Sequence, residues 1–420
     1  LKRKLGALVT SFAVAATVLA GCGSSNANDP KTITFWTPLT GEDGAYMDNL
    51  VKEYNATNPE IKVKHVVTSD MYTKISTVLS SGKGVPDLTI IHADRVPGYV
   101  KQKQLEPMTA VMQAQPELKE ANFLPQAWGA GNIDGTQYTV PLDIHSNVMY
   151  YNKDLLKKYG AESFLDDNNV TIDEILSLKG KLDEGDYVVN DALIGWVMLA
   201  QIQNLGGDIQ KDGKPAVNTD VMRQAIEDVK KINDAGLMTP FGEDGYLMFQ
   251  SGNVLFSTDG TWSSTAHASV ENLNFGVTNV YSASPDKFTN RASSHMFAMF
   301  NSEQRTDEKE QGIAAFLEFI RSHSVEWAKA GQIPASKEVV ESPEFKNYMQ
   351  SFFTSNEEET KSLYIYTYEY YPYIAEAVDK YVGDLIRGNT PIDEGLQAMQ
   401  KEVEDKIGES NGGAAADSGK

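Results

Sequence analysis

The sequence predicts an α/β protein of two domains, each built on a largely parallel sheet with helices on both faces. Two observations carry that prediction. From Lys31 onward, short apolar runs alternate with amphipathic segments, the pattern of strands joined by covering helices. The 420 residues also exceed what one hydrophobic core usually supports.

Residues 33–35 open the series as a strand, and Tyr46, Met47, Leu50, Val51 and Tyr54 follow at helical spacing. Pro59 separates that helix from IKVKHVV, which begins at Ile61 and alternates as a half-buried strand does. Met71, Ile75, Val78 and Leu79 form another helix face, residues 88–91 a buried strand, and residues 96–103 a short helix. Longer helices are predicted over 171–184, 192–205 and 220–236, the last ended by Gly236. Strands are expected at 253–258, 274–280 and 295–300, a helix at 307–322, and helices across 343–407 after the stop QIPAS. The remainder, 408–420, is poor in large apolar residues and reads as a disordered tail.

The N-terminus has a different character. Lys2, Arg3 and Lys4 precede an apolar run too short to favour a permanent membrane span, so residues 1–21 have the build of a secretory signal peptide. LAGC, ending at Cys22, resembles the lipobox of bacterial lipoproteins, in which the cysteine is lipidated and becomes the new N-terminus; the plainer alternative is an ordinary cleavage site beside an incidental cysteine. Residues 22–30 then form a lipidated, flexible tether to the folded body. Cys22 is the only cysteine, which excludes disulfides and cysteine-based zinc sites. The net charge of −21 argues against nucleic acid and against electrostatic docking on anionic lipid.

Catalytic signatures are missing. There is no His-Glu-x-x-His, no Gly-x-Ser-x-Gly and no phosphate-cradling glycine loop. The six histidines, at 65, 92, 145, 267, 295 and 323, are scattered and supply no helical ligand pair, so neither metal nor cofactor is expected. A glycosidase would need two carboxylates about one glycosidic bond, which spacing alone does not reveal.

What the chain does offer is aromatic and planar polar groups at strand ends. Trp36 follows the first strand, Trp262 follows residues 253–258 and a turn, Trp196 begins a helix, and Tyr368, Tyr370, Tyr371 and Tyr373 crowd another helix start. Such residues fit a sugar, whose apolar CH faces take aromatic plates and whose hydroxyls take carboxylates and guanidinium groups. Each aromatic also has a plain reading as core. In GVPDLTIIHADR, residues 84–95, a buried strand empties directly into polar side chains, and Asp94 can be read either as a helix N-cap or as a hydroxyl acceptor. Glu42 and Asp43 carry the same two readings.

Taken in order, ITFW, NPEIKV, GVPDLTIIHADRVPGYVKQKQLEPM, VPLDIHSNVMYYNKDLLKKYG, QSGNVLFSTDGTW, NFGVTNV, GIAAFLEFIRSHSVEWA with IPAS, and GNTPIDEGLQAMQKEV resemble the extracellular solute-binding proteins of bacterial ABC importers. The branch is the carbohydrate-binding one that includes maltose-binding protein, and the resemblance runs from Ile33 to about Ile407. It implies a two-lobe periplasmic-binding-protein-like fold with a ligand cleft between the lobes. Lobe one would take 31–142 plus 279–331 and lobe two 147–276 plus 334–407, with crossings near 142–146, 277–279 and Ile333.

It further implies that Asp94 and Arg95 match a pair that grips sugar hydroxyls, although Ile91 stands where a stacking tryptophan is expected. His145 falls where the family has a glutamate, Trp262 matches a stacking aromatic, and Trp36, Trp196 and Tyr371 fall near others. The small-residue loop RASSH brings Ser293, Ser294 and His295 toward the cleft. The implied role is a monomeric, lipid-anchored, extracytoplasmic, non-enzymatic protein that delivers a di- or oligosaccharide to a permease. A lipid-anchored sugar sensor or adhesin on the same fold is the alternative.

Overall fold

A computed structural model describes residues 29–417; the expected signal peptide and almost all of the expected tether, Cys22 included, lie outside the described residues. Two mixed sheets dominate. The smaller runs Lys62–Val67, Thr32–Thr37, Leu88–His92, His295–Ala298, Thr139–Pro141, with the first three parallel and His295–Ala298 antiparallel to both its neighbours. Alternation along its strands separates two cores. Ile33, Phe35, Leu88 and Ile90 pack in the core that holds Met47 and Leu50 of Glu42–Ala56 and Phe316 of Asp307–His323. Ile91, Met296 and Ala298 pack with Met71 and Ile75 of Met71–Ser81.

The larger sheet is organised around Asp143–Asn152, the longest strand among the described residues. It pairs in turn with Ile333–Pro334 at Asp143 and Ile144, with Ala292 and Ser293 at Ser146 and His145, with Val254–Gly260 at 147–151, and with Phe275–Thr278 at 149–152. Leu363–Ile365 and Tyr187–Val189 complete that sheet. Asn290–Ser293 belongs to the larger sheet and His295–Ala298 to the smaller, so the chain changes sheet at Ser294. No change of sheet occurs at 277–279, where the resemblance places a crossing.

The helix Asp220–Asp234 shows how sequence becomes structure here. Met222, Ala225, Ile226, Val229 and Ile232 recur at three- and four-residue spacing and are all buried. The Thr219 side chain caps the start by accepting from the Met222 N–H, and Gly236 ends it with φ of 73°.

Other elements depart from the sequence reading. The helix expected over 171–184 stops at Leu176, because glycines with φ of 74° at Gly180 and 90° at Gly185 turn the chain into Tyr187–Val189. The helical run expected over 343–407 is interrupted by Leu363–Ile365, which pairs in parallel with Asn290, Arg291 and Ala292. The last helix, Ile392–Asp417, continues through much of the expected disordered tail: no proline stops it, and Ala414, Ala415 and Ala416 are the best helix formers.

A buried ion pair ties the smaller sheet to its helix. Asp87, just before Leu88–His92, accepts from the Thr34 N–H and hydroxyl, both at 2.8 Å, and from Lys309 Nζ at 2.9 Å. Both ionic side chains are buried. Asp87→Ala strands a buried ammonium, so it should destabilise the fold by about 3–5 kcal/mol. Chemical denaturation against the parent chain measures this.

Candidate functional site

A cavity of about 750 Å³ opens beyond the carboxyl ends of Leu88–His92 and Val254–Gly260, the place where α/β sheets hold their ligands. Its wall draws on both sheets and on the junction between them. His92 is the last residue of its strand, and the chain then turns through one 3-10 turn, Ala93–Arg95. That turn explains why a buried strand ends in polar side chains. Asp94 makes no capping hydrogen bond to the following helix; it lies 3.7 Å from Arg95 Nε, and both line the cavity. The Arg95 guanidinium rests over the Tyr72 ring at 4.8 Å.

The floor is set by Asp143 and two histidines. Asp143 and His145 are alternate residues of one strand and share a face. Asp143 Oδ1 lies 3.3 Å from His145 Nδ1, and Oδ2 lies 2.7 Å from His295 Nδ1. The same carboxylate accepts from the His295 backbone N–H at 2.9 Å and from Trp327 Nε1 at 2.7 Å. His92 hydrogen-bonds through Nδ1 to the Tyr72 hydroxyl, which also accepts from the His92 backbone N–H. The three rings lie 4.3 to 5.7 Å apart by centroid. One nitrogen from each of His92, His145 and His295 lies within 4.8 Å of the others.

Their ionisation splits by position. Burial raises the Asp143 carboxyl, but His295 and His145 beside it overcome that and hold it well below the usual carboxylate range. Burial pulls His295 down, and the adjacent Asp143 charge more than restores it, so it titrates above its ordinary value. Burial lowers His145, helped by His295 and only partly opposed by Asp143. His92, with burial, His295, His145, Arg95 and Arg291 all acting against its charge, is held well below 6.5.

The adjoining wall is aromatic and cationic, Trp262 meeting His145 at 6.1 Å between ring centroids. Gly260 ends its strand where an added Cβ would come within 2.1 Å of the Trp262 ring, so the absence of a side chain seats the indole. Trp262 is 36% exposed and meets Trp196 edge-on, 5.8 Å between centroids at 77°. Leu193 adopts φ of 50° at the head of the helix Ile194–Asn204, which carries Trp196 toward the cavity. The Arg291 guanidinium lies 3.5 Å from the Trp196 ring centroid, and its Nε donates to the Tyr371 hydroxyl at 2.6 Å. Arg291 Nη1 is buried and has no hydrogen-bond partner among the described residues. Asp259 anchors Oδ1 on the Gly260 N–H at 2.6 Å, while buried Oδ2 has no hydrogen-bond partner there.

Of the residues singled out from sequence, Asp94, Arg95, His145, Trp196, Trp262, Ser293 and His295 line this cavity, as does Asp43. Trp36, Ser294 and Tyr371 do not. Trp36 points to the opposite face of its strand from Phe35 and packs with the Met71 group. Ser294 is fully buried, its hydroxyl turned to the His295 carbonyl and the Met296 sulfur. Tyr371 stands behind Arg291 and holds it, burial pushing its phenol up to about 12. His92, Tyr72, Asp259 and Arg291 went unread. His92 and Arg291 lie inside stretches already singled out, GVPDLTIIHADR and RASSH, whereas nothing local marks Asp259 or Tyr72.

Residues 49–354 match the family described as bacterial extracellular solute-binding protein, and the chain belongs to that family. It is therefore an extracytoplasmic solute-binding protein and not an enzyme. Among relatives, it is 26% identical over 242 residues to the arabinooligosaccharide-binding protein of Bacillus subtilis (strain 168), a match that spans about half of each chain, 54% of both. It is 22% identical over 334 residues to the sn-glycerol-3-phosphate-binding periplasmic protein UgpB of Escherichia coli (strain K12), covering 74% of this chain and 76% of UgpB. Its fold matches the sugar-binding protein MalE from Xanthomonas citri with a TM-score of 0.77 at 16% identity, over 90% of this chain and 98% of that one. Among the described residues, no helix is long and apolar enough to cross a membrane.

The depressed value of His92 sets a direction for acid stability. Below 6.5 the unfolded chain takes up a proton at this position that the folded chain refuses, so stability falls as pH drops from 7 to 5. His145 acts in the same sense and His295 in the opposite one. The loss of thermal midpoint between pH 7 and 5 should be smaller in His92→Gln than in the parent, as differential scanning calorimetry at both pH values will show.

Proposed function

We propose that this protein captures a carbohydrate, a di- or oligosaccharide, in the cavity between its lobes and delivers it to the permease of an ABC importer, held at the cell membrane by a lipid on Cys22. The observation that carries this reading is the pairing of a half-exposed Trp262, nearly perpendicular to Trp196, with buried polar atoms that take no hydrogen bond among the described residues: Arg291 Nη1, and Asp259 Oδ2, which lies 3.6 Å from His267 Nε2. An indole face takes the apolar side of a pyranose, and planar ionic groups take its hydroxyl edge. The volume of about 750 Å³ lies inside the range of small-molecule sites. Carboxylates and guanidinium groups occur together on the wall, which suits an uncharged, hydroxyl-rich solute better than a strongly anionic one. The oligosaccharide named for the Bacillus subtilis relative supports the same class.

Asp94 and Arg95 come from the smaller sheet's side and Trp262 from the larger sheet's strand end, so a bound sugar would touch both lobes. Binding would then favour a closed arrangement, since a ligand shifts an equilibrium only through better contacts in one state. Calorimetry against a panel of mono-, di- and oligosaccharides should find a ligand of micromolar or better affinity. Trp262→Ala should weaken that affinity by about tenfold or more, the worth of a lost aromatic platform. Asp94→Ala should also weaken it, both variants melting as the parent does. A blank panel with peptides binding instead would overturn the assignment. Cys22→Ser should move the full-length chain from the membrane fraction to the medium or periplasm, read by fractionation and immunoblot.

A further inference from the structure

We propose that His92, His145 and His295 form a binding site for a divalent transition-metal ion on the floor of the cavity. The inference stands apart from the sugar reading, because it rests on groups that a neutral sugar does not require in this arrangement.

Three imidazoles from three distant stretches of chain are brought together by backbone register. His295 pairs directly opposite His92 in the smaller sheet, and His145 pairs opposite Ser293 in the larger one. One ring nitrogen of each lies within 4.8 Å of one from each of the others. A tetrahedral zinc ion with Zn–N bonds of about 2.0–2.1 Å spaces its nitrogens about 3.4 Å apart, so small ring rotations complete the site.

The surroundings are those of metal-binding histidines. Such residues donate their second ring N–H to a carboxylate or comparable acceptor, which fixes the tautomer and aims the other nitrogen. Here the two oxygens of fully buried Asp143 face the Nδ1 atoms of His145 and His295, and the Tyr72 hydroxyl faces that of His92. In the neutral rings, the form that binds a metal, Nδ1–H donated in each case leaves every Nε2 with a lone pair, His295 giving up its second proton to the solvent. None of the three Nε2 atoms makes a hydrogen bond among the described residues, and all three side chains line the cavity. Three protein ligands with a fourth position open to a cavity is the arrangement of an ion that also holds water or an oxygen of the solute.

Zinc alone, titrated into metal-stripped full-length protein without any sugar, should bind with one-to-one stoichiometry by calorimetry. Cobalt(II) should give the visible absorption of a tetrahedral nitrogen site. His92→Ala and His145→Ala should each weaken zinc at least 100-fold and abolish the cobalt spectrum, and Asp143→Asn should weaken it about 10- to 100-fold. His323→Ala, at an exposed histidine elsewhere, should bind as the parent does. His92 is only half-buried, so its alanine variant should keep the parent's melting in metal-free buffer and serve if Asp143→Asn fails to fold. No zinc binding by the parent, or zinc binding unchanged in His92→Ala, overturns the proposal. Sugar affinity in metal-free buffer reads the transport assignment separately: it can survive while the metal site fails, and the reverse.

Discussion

One buried carboxylate organises this protein. Asp143 is fully enclosed, and its charge persists because two histidines, a backbone N–H and an indole N–H all point at it. Each partner comes from a different part of the molecule: His145 from the same strand, His295 from the smaller sheet, Trp327 from the segment after Asp307–His323. The residue therefore ties the central strand of the larger sheet to His295 of the smaller one, holding the two sheets together at one point. A neutral side chain there would leave several donors in a dry interior without an acceptor of comparable strength.

The cavity inherits its division of labour from that junction. Polar groups lie where the sheets meet: the backbone crossings there are hydrogen-bonded, Leu142 N–H to the His295 carbonyl and Ala93 N–H to that of Ser294, and the Asp143 and His295 side chains pair beside them. The aromatic groups come from the larger sheet's flank, where Gly260 lets Trp262 lie against the chain and Trp196 backs onto Arg291. Arg291 is positioned from three directions, by its strand, by Trp196 and by Tyr371, and still keeps one nitrogen unpaired. A guanidinium so enclosed is preorganised: little side-chain entropy remains to be lost when a ligand arrives.

Much of the fold was legible in sequence because it is periodic. The alternation of IKVKHVV and the five buried positions of Asp220–Asp234 predict their elements from local pattern alone. Leu363–Ile365 escaped because three residues are too few for a period to register, and its strand character comes from pairing with a partner some seventy residues earlier. In the site, Asp94, Arg95 and Trp262 were legible through their place beyond strand ends. The histidine group was not. Residues 92, 145 and 295 share no spacing, and only the register that sets His295 opposite His92 makes them neighbours. Trp36 shows the reverse failure: an aromatic near a strand end suggests a binding plate, yet one step of the strand's alternation lays it, partly buried, against the Met71 group and away from the cavity.

The smaller sheet has a consequence for how the chain reaches its native state. His295–Ala298 lies between Leu88–His92 and Thr139–Pro141, so the sheet stays open until residues some two hundred positions later are in place. The Lys309 to Asp87 pair spans 222 residues in the same way. Such non-local contacts make folding slow, since loop closure must precede any gain from pairing. A fragment ending before Asn290 would present two unsatisfied strand edges and the apolar faces of Ile90 and Ile91, the makings of an aggregating species. The strands that the first half supplies to the smaller sheet are joined into one sheet only when His295–Ala298 from the second half pairs between them.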